Sequence, residues 1–345
     1  MKVVMTLLAR DEADIVDAQI AYHLHAGVDF VIATDNRSQD GTTEILERYE
    51  RAGSLHLIRE QGDDLRQSEW VTRMARLAAT DFGADWVVNA DADEFWWPRR
   101  ADLKDVLASI PDEFGVVRGA WRNFVPRPEG DEDFAERMTV RLCTPSFHPH
   151  PLSTHSKSVH RAVPDVRIGR GNHEAFGAGL RPIRGWYPFE ILHFPVRSRE
   201  QCTRKYVTQF VALERNADKG IPGHMAEAHR YYRSGRLEDF YRPLVIDDAA
   251  LARGLESGDL AVDTRLRDTL RTLGFGAAGD GPAAGPDESS VAEAAVFAAE
   301  CDVLLESDYG LALANRIDDF ESRLGSLERR LVSKAGRAVR SALVR

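Results

Sequence analysis

Trp86-Val87-Val88-Asn89-Ala90-Asp91-Ala92-Asp93-Glu94-Phe95 is a short apolar run that ends abruptly in three carboxylates. It reads as a buried strand. In an extended backbone alternate side chains share a face, so Asp91 and Asp93 are expected to point one way and Ala92 the other, letting both carboxylates reach one hard divalent cation. Mg²⁺ or Mn²⁺ held there can clamp a diphosphate. A lone Asp-x-Asp at a strand end is more often a solvated turn, so its surroundings have to decide.

Upstream, the pattern alternates strand and helix. Lys2 to Ala9 is an apolar run, and Ala13 to Ala26 carries Ile15, Ile20 and Leu24 at helical spacing before Gly27 closes it. Val28 to Ala33 is a second apolar run. After Asp35-Asn36-Arg37-Ser38-Gln39-Asp40-Gly41-Thr42 comes a helix with Ile45, Leu46 and Tyr49, ended by Gly53. Leu55 to Ile58 gives a third strand, Ser68 to Ala79 a helix, and Trp86 to Asn89 the fourth strand. This alternation implies an α/β fold with a largely parallel, doubly wound sheet. Ligands bind such sheets at the carboxyl ends of the strands, which places Arg10 and Asp11, Asp35 and Asn36, and Asp91 to Glu94 along one edge. Asp40 is read as a helix cap. Asp35 ends a buried strand directly, where a carboxylate can accept from a base N–H or a ribose hydroxyl.

Competing signatures are missing. There is no GxxxxGK[ST] loop, and Gly169-Arg170-Gly171-Asn172-His173-Glu174 lacks a third glycine and a strong preceding strand, so a dinucleotide fold is not indicated. HExxH and GxSxG are also absent. The 345 residues are 43% hydrophobic and 29% charged, as in a globular enzyme, and the net charge of −10 argues against nucleic acid as a partner. No apolar run approaches a membrane span, and Met1 to Ala9 is too short for a signal peptide, so a cytoplasmic chain is expected. Cys143, Cys202 and Cys301 have no metal or disulfide spacing and read as reduced structural thiols.

Ala9-Arg10-Asp11-Glu12-Ala13-Asp14-Ile15, Tyr22-His23-Leu24, Gly27-Val28-Asp29, Asp35 to Thr42 and Asp91-Ala92-Asp93-Glu94-Phe95 together resemble the GT-A glycosyltransferases, within them the family 2-like bacterial proteins related to the family 92 group. The resemblance runs from about Met1 to Tyr206. It implies a Rossmann-like nucleotide half and an acceptor half, moving a sugar from a nucleoside diphosphate sugar to a hydroxyl with Mn²⁺ or Mg²⁺ bound. Donor-binding residues would be Ala9, Arg10, Glu12, Asp35, Asn36, Asp91 and Lys157, with Asp35 at the nucleoside and Lys157 near donor phosphate. Asp91, Asp93 and a late histidine, His193, would form the metal set. The chain departs from the pattern at Asp11, where the family carries Asn.

In the second half, Phe114 to Phe124 and Met138 to Leu142 look like strands flanking an acidic, Pro- and Gly-rich loop, a plausible acceptor-side extension. His148, His150, His155 and His160 cluster in sequence but match no structural zinc pattern. His193 lies in the apolar strand Glu190 to Pro195; outside the resemblance, such a histidine is usually a core residue. An inverting transferase needs a base for the acceptor's proton, and Glu174, Glu94, Asp165 and Glu190 are available. Glu174, beside His173, is the first choice; Glu94 is the second, with orientation of the loop as its other reading.

Gly274 to Ser290 reads as a linker. Leu313, Ile317, Phe320, Leu324, Leu327 and Leu331 then form a heptad stripe fit for a coiled-coil homodimer or for packing on the body. The basic end, from Arg329 to Arg345, reads as an amphipathic helix for an anionic membrane face. The expected organisation is a nucleotide-sugar half (1–118), an acceptor half (119–245), a helical segment with linker (246–290) and a helical, basic tail (291–345). The function expected is a metal-dependent, inverting glycosyltransferase acting on a glycan, lipid-linked or small-molecule hydroxyl acceptor. A nucleotidyltransferase of sugar phosphates and a non-catalytic nucleotide-sugar-binding scaffold are the alternatives; the first normally shows a Gly-rich loop where this chain has Leu7-Leu8-Ala9-Arg10.

Overall fold

The expected alternation forms. Strand β1 (Val3–Ala9) leads to helix α1 (Val16–His25), β2 (Phe30–Asp35) to α2 (Thr42–Arg51), β3 (Leu55–Arg59) to α3 (Gln67–Thr80), and β4 (Trp86–Asp91) completes the series. These strands are near-continuous apolar runs because helices cover both faces of the sheet, so Val3, Val4, Met5 and Leu7 are all fully buried. Gly27, with φ of 111°, follows α1 in a conformation that few other residues adopt.

The computed structural model describes residues 1–62, 66–99, 101–143, 156–183, 186–215 and 225–275. The heptad stripe, the basic end, the linker beyond Phe275, Cys301, and His148, His150 and His155 lie outside them. The chain divides into two compact units, Met1–Ala283 and Ala284–Arg345, and every described residue belongs to the first. Among the described residues no helix is long and apolar enough to cross a membrane, and Cys143 and Cys202 are buried.

Beyond β4 the chain forms β5 (Glu94–Pro98), α4 (Leu103–Ala108), β6 (Val116–Asn123), α5 (Phe134–Arg137), β7 (Val140–Leu142), β8 (Ser156–Arg161), β9 (Arg167–Ile168), β10 (Ala175–Phe176) and β11 (Phe189–His193). It then turns largely helical: α6 (Arg199–Arg215), α7 (Ala226–Arg233), α8 (Leu237–Tyr241), α9 (Asp248–Ser257), the short β12 (Leu260–Val262) and α10 (Arg265–Thr272).

One eight-stranded sheet runs through both expected halves, in the order β3-β2-β1-β4-β8-β6-β11-β5. Six strands run the same way; β8 and β5 oppose them. The expected strand over Met138 to Leu142 stays outside this sheet and pairs, as β7, with β12. The sheet is strongly curled, which chain geometry demands. Only Ala92 and Asp93 separate β4 from β5, and three residue steps reach at most about 11 Å. Yet β8, β6 and β11 lie between those strands, and four spacings in a flat sheet would total about 19 Å. The sheet therefore folds back on itself at the acidic turn.

The main core packs α1, α4 and α10 on one face, with Ile15, Ile20, Leu103, Leu107, Leu266 and Leu270 against Met5, Val88, Phe95 and Trp96. On the other face α3 presents Val71, Met74, Ala75 and Ala78 to Val4, Ile32 and Val87. Each large apolar side chain buried this way contributes about 1.5–3 kcal/mol. A third cluster joins α6 to α7 and α8 through Tyr206, Phe210, Ala228 and Phe240. It sets α6 beside the carboxyl edge of the sheet.

Candidate active site

The carboxyl ends of β1, β2, β4, β6 and β11 meet the amino ends of β8 and β5 at one edge. Their register puts Asn123, His193 and Glu94 side by side across β6, β11 and β5. Lys157, near the start of β8, completes the row from the other direction.

The loops after β1 and β2 are pinned to each other. Asp11, in the left-handed conformation at φ of 56°, accepts from Gln39 N at 2.8 Å, and its own N–H donates to Ser38 Oγ at 3.0 Å. Aspartate is one of the few residues at ease in that conformation, so position 11 here serves the loop. Glu12 N donates to Thr42 Oγ1 at 2.9 Å and Ala13 N to Asp40 Oδ2 at 3.0 Å, while Asp40 Oδ1 also holds Thr42 N at the start of α2. Arg10 donates to Asn36 Oδ1 at 3.0 Å. Asp35 is buried and accepts from Ser38 Oγ and Thr43 Oγ1, each at 2.6 Å. Ala9, at the end of β1, is buried and its carbonyl accepts from Asn36 N.

Two lysines meet the acidic turn. Lys157 Nζ lies 2.6 Å from Asp91 Oδ2 and 2.9 Å from Glu94 Oε1. Asp91 Oδ1 also accepts from Asn172 Nδ2 at 3.1 Å, and Glu94 Oε1 from the Trp121 indole at 2.9 Å. Lys205 Nζ, from α6, lies 2.6 Å from Asp93 Oδ2, with His193 Nε2 3.8 Å from the same oxygen. The expected common face for Asp91 and Asp93 does not form, because β4 ends at Asp91 and a turn replaces the period-two backbone. The two carboxylates take different lysines instead.

Burial and charge set the titration of these groups. Burial pushes the Glu94 carboxyl up to about 8; Lys157 acts against that shift, and the Asp91 and Asp93 charges add to it. Burial also works against ionisation of Asp93, but Lys205, His193 and Arg197 outweigh it and hold this carboxyl well below the usual range. Glu12 is raised to about 6 by burial, although Arg197 and Lys205 oppose the change. Lys157 stays protonated because Asp91 and Glu94 overcome its desolvation.

His193 is oriented from behind. Its Nδ1 donates to Asn123 Oδ1 at 2.7 Å and its ring stacks on Trp121 with centroids 4.1 Å apart. When the ring is neutral with its proton on Nδ1, Nε2 can offer a lone pair beside Asp93, a nitrogen and an oxygen suited to a borderline divalent ion such as Mn²⁺. Among the described residues no three His, Cys, Asp or Glu side chains converge as a metal-binding group, and Asp91 is engaged with Lys157 and Asn172. Two protein ligands still fit an ion that takes the rest of its shell from water and substrate phosphate, as Mg²⁺ commonly does.

Arg197 donates to both Asp14 oxygens, at 2.7 and 2.8 Å, to Glu12 Oε2 and to Phe194 O, and thereby ties the end of β11 to the loop after β1. A cleft of about 150 Å³ opens between that loop and α6, lined by Arg10, Asp11, Glu12, Gln201, Arg204 and Lys205 among others. Within it Arg10 Nε is buried without a hydrogen-bond partner. Glu174 is exposed; its neighbours Asn172 and His173 are the ones that reach the cluster, His173 through Ser156 O at 2.7 Å and the edge of Trp121. Sequence reasoning missed Lys205, Arg197, Asn172, Asn123 and Trp121. A signal existed for one of them: Gln201, Arg204, Lys205 and Thr208 form a polar stripe at helical spacing.

No protein-family model matches the chain, nor does any curated protein. Among solved structures, TarS residues 1–349 from S. aureus in complex with UDP-GlcNAc shares 11% identity over 61% of this chain and 65% of its own, with a TM-score of 0.35. Glucosyl-3-phosphoglycerate synthase from Mycobacterium tuberculosis, in complex with Mn²⁺, UDP and glucosyl-3-phosphoglycerate, shares 20% identity over 37% of this chain and 44% of its own, with a TM-score of 0.24. The chain spans less than two thirds of the length of these structures.

Proposed function

We propose that this chain is a GT-A type glycosyltransferase that moves a sugar from a nucleoside diphosphate sugar to an acceptor hydroxyl, with inversion. The observation that carries the reading is the acidic turn itself: Asp91, Asp93 and Glu94 at the carboxyl edge of a mostly parallel sheet, each already paired with a lysine. Such an edge is where α/β sheets bind ligands, and cations concentrated there suit a diphosphate leaving group. A nucleotidyltransferase would draw on the same edge, but residues 7–10 carry no glycine to let backbone cradle a triphosphate.

In this reading the nucleoside lies toward Asp35 and Asn36, and the diphosphate lies between Arg10, Lys157 and Lys205. Asp93 and His193 would hold Mn²⁺ or Mg²⁺, with Asp91 facing the ribose or a metal-bound water. Such an ion offsets negative charge on the departing diphosphate. Glu94 is sealed from solvent and acts as a positioning residue, fixing Lys157 and the Trp121 indole. Glu174, exposed beside His173, is assigned the acceptor's proton as the new glycosidic bond forms and the bond to the diphosphate breaks. The acceptor side is built from residues 119–245, and the tail from 291 is assigned to self-association or contact with an anionic membrane face.

Thermal-shift binding across UDP, GDP, dTDP and CDP sugars, with and without Mn²⁺, tests the donor. At least one should raise the melting temperature in a metal-dependent way; a flat panel overturns the reading. Sugar transfer or donor hydrolysis should vanish in a folded Asp93→Ala variant.

A further inference from the structure

One carboxylate oxygen at the site faces two different groups. Asp93 Oδ2 touches the Lys205 ammonium at 2.6 Å, while His193 Nε2 stands 3.8 Å from it. The side chain of Asp93 is only 6% exposed, so its charge needs a positive partner at all times. Arg197 cannot change places to supply one. Its guanidinium is bound to Glu12, Asp14 and the Phe194 carbonyl and is 1% exposed. Lys205 differs: its side chain is 36% exposed, its one other hydrogen bond is a long contact of 3.4 Å to Pro195 O, and it borders the cleft that Arg10 and Arg204 also line. A four-carbon stem lets it swing without moving α6.

We propose that Lys205 is the resident counter-ion of Asp93, that a divalent cation and the Lys205 ammonium compete for this carboxylate, and that the displaced ammonium turns into the cleft to meet the donor's diphosphate. The competition stands on the geometry alone, whereas the diphosphate rests on the transferase reading. An ion bound to Oδ2 sits about 2 Å from that oxygen. With the ammonium also at 2.6 Å, two positive charges would be crowded together beside a carboxylate largely screened from water. One has to leave, and the lysine is the one with room. Once released, it stands beside Arg10, whose buried Nε lacks an acceptor that a phosphate oxygen can provide.

Mn²⁺ titrated into the full chain without nucleotide, followed by the paramagnetic resonance of free Mn²⁺ and by melting temperature, tests the competition in wild type, Lys205→Met and Lys104→Met. Lys104 pairs with Asp29 at the opposite end of β2 and controls for the loss of one positive charge. Lys205→Met should bind Mn²⁺ at least about tenfold more tightly than wild type, the scale on which groups contacting a metal ligand act. It should melt below wild type without the ion and recover when Mn²⁺ is added, whereas Lys104→Met should follow wild type. Equal or weaker Mn²⁺ binding in Lys205→Met, or a melting deficit that Mn²⁺ leaves in place, overturns the proposal. UDP, GDP, dTDP and CDP are then added. Competition for Mn²⁺ with no response to any of them would sustain the counter-ion role and overturn the turn toward a diphosphate, so the two readings fail separately.

Discussion

Arg122 donates its Nε proton to Glu190 Oε1 at 2.6 Å, and neither side chain has meaningful access to water. The pair sits on adjacent strands β6 and β11, and Arg265 from α10 holds the second Glu190 oxygen at 2.8 Å. Arg265 also reaches Asp263, which Arg141 contacts at 3.1 Å. Through this chain of charges the segment around α10 is fastened to the central sheet.

Truncating Arg122 leaves Glu190 buried with one partner fewer. Arg122→Met should lower the unfolding free energy by about 3–5 kcal/mol in urea titrations. A change below about 1 kcal/mol would mean that Arg265 alone suffices.

Two sets of buried groups should weaken the protein as pH falls, against the opposite contribution of Glu94 and Glu12. Burial pushes His23 and His160 each down to about 4, so the native state resists their protonation while the unfolded chain, near 6.5, accepts it. Their contribution is present above pH 6.5 and is lost as pH falls toward 4, roughly 3 kcal/mol for each ring. Glu190, which burial raises but Arg122 and Arg265 hold down to about 2, loses its contribution between about pH 4.5 and 2. Near pH 5 the two rings should contribute an uptake of about two protons on unfolding, largely offset by release from Glu94 and Glu12, whose carboxyls burial raises to about 8 and about 6. The net uptake should fall by about one proton in His23→Gln, and an unchanged uptake would contradict a neutral, buried ring.

Lys157 bridges the two sides of the acidic turn. Lys157→Met should reduce kcat about 10²–10³-fold, as removal of one charge-stabilising donor commonly does. Because Glu94 then loses its cationic partner, its carboxyl should titrate higher still, and a carbonyl infrared band of protonated carboxyl should persist above pH 8. Full activity in this variant would remove Lys157 from the diphosphate site.

Gly119 allows β6 to lie close under β5 and β11. A Cβ there would stand 2.9 Å from Ile191 Cγ1 and 3.0 Å from the Trp96 ring. Gly119→Ala should therefore cost about 1–3 kcal/mol by overpacking, read as a lower urea midpoint; an unchanged midpoint would show that both neighbours can yield.

The first four strands were legible because each is an apolar run and the first three alternate with helices, two of them ended by glycine, and β11 stood out through Glu190-Ile191-Leu192-His193. The edge position of β5 was not. Glu94 to Pro98 continues directly from β4 in sequence, and local pattern cannot say that three strands intervene. Of the site, the carboxylates announce themselves as acids at an apolar strand's end. Arg197 gives no comparable signal, and the polar stripe that carries Lys205 reads first as the solvated face of a helix. The packing of α6 turns Lys205 inward, and Arg197, which precedes that helix, is turned in by its bonds to Glu12 and Asp14. Alternation also misled at Asp93, where one turn residue redirects a side chain that a longer strand would have aligned with Asp91.

The two-residue link at Ala92 and Asp93 has a mechanical consequence. Any sliding of the β1–β4 strands against the β6–β11–β5 strands is limited by a link of three residue steps, so the backbone on either side of that joint stays within about 11 Å. Adjustment to a passing substrate is left to what hangs beside the joint, foremost the side chains of α6.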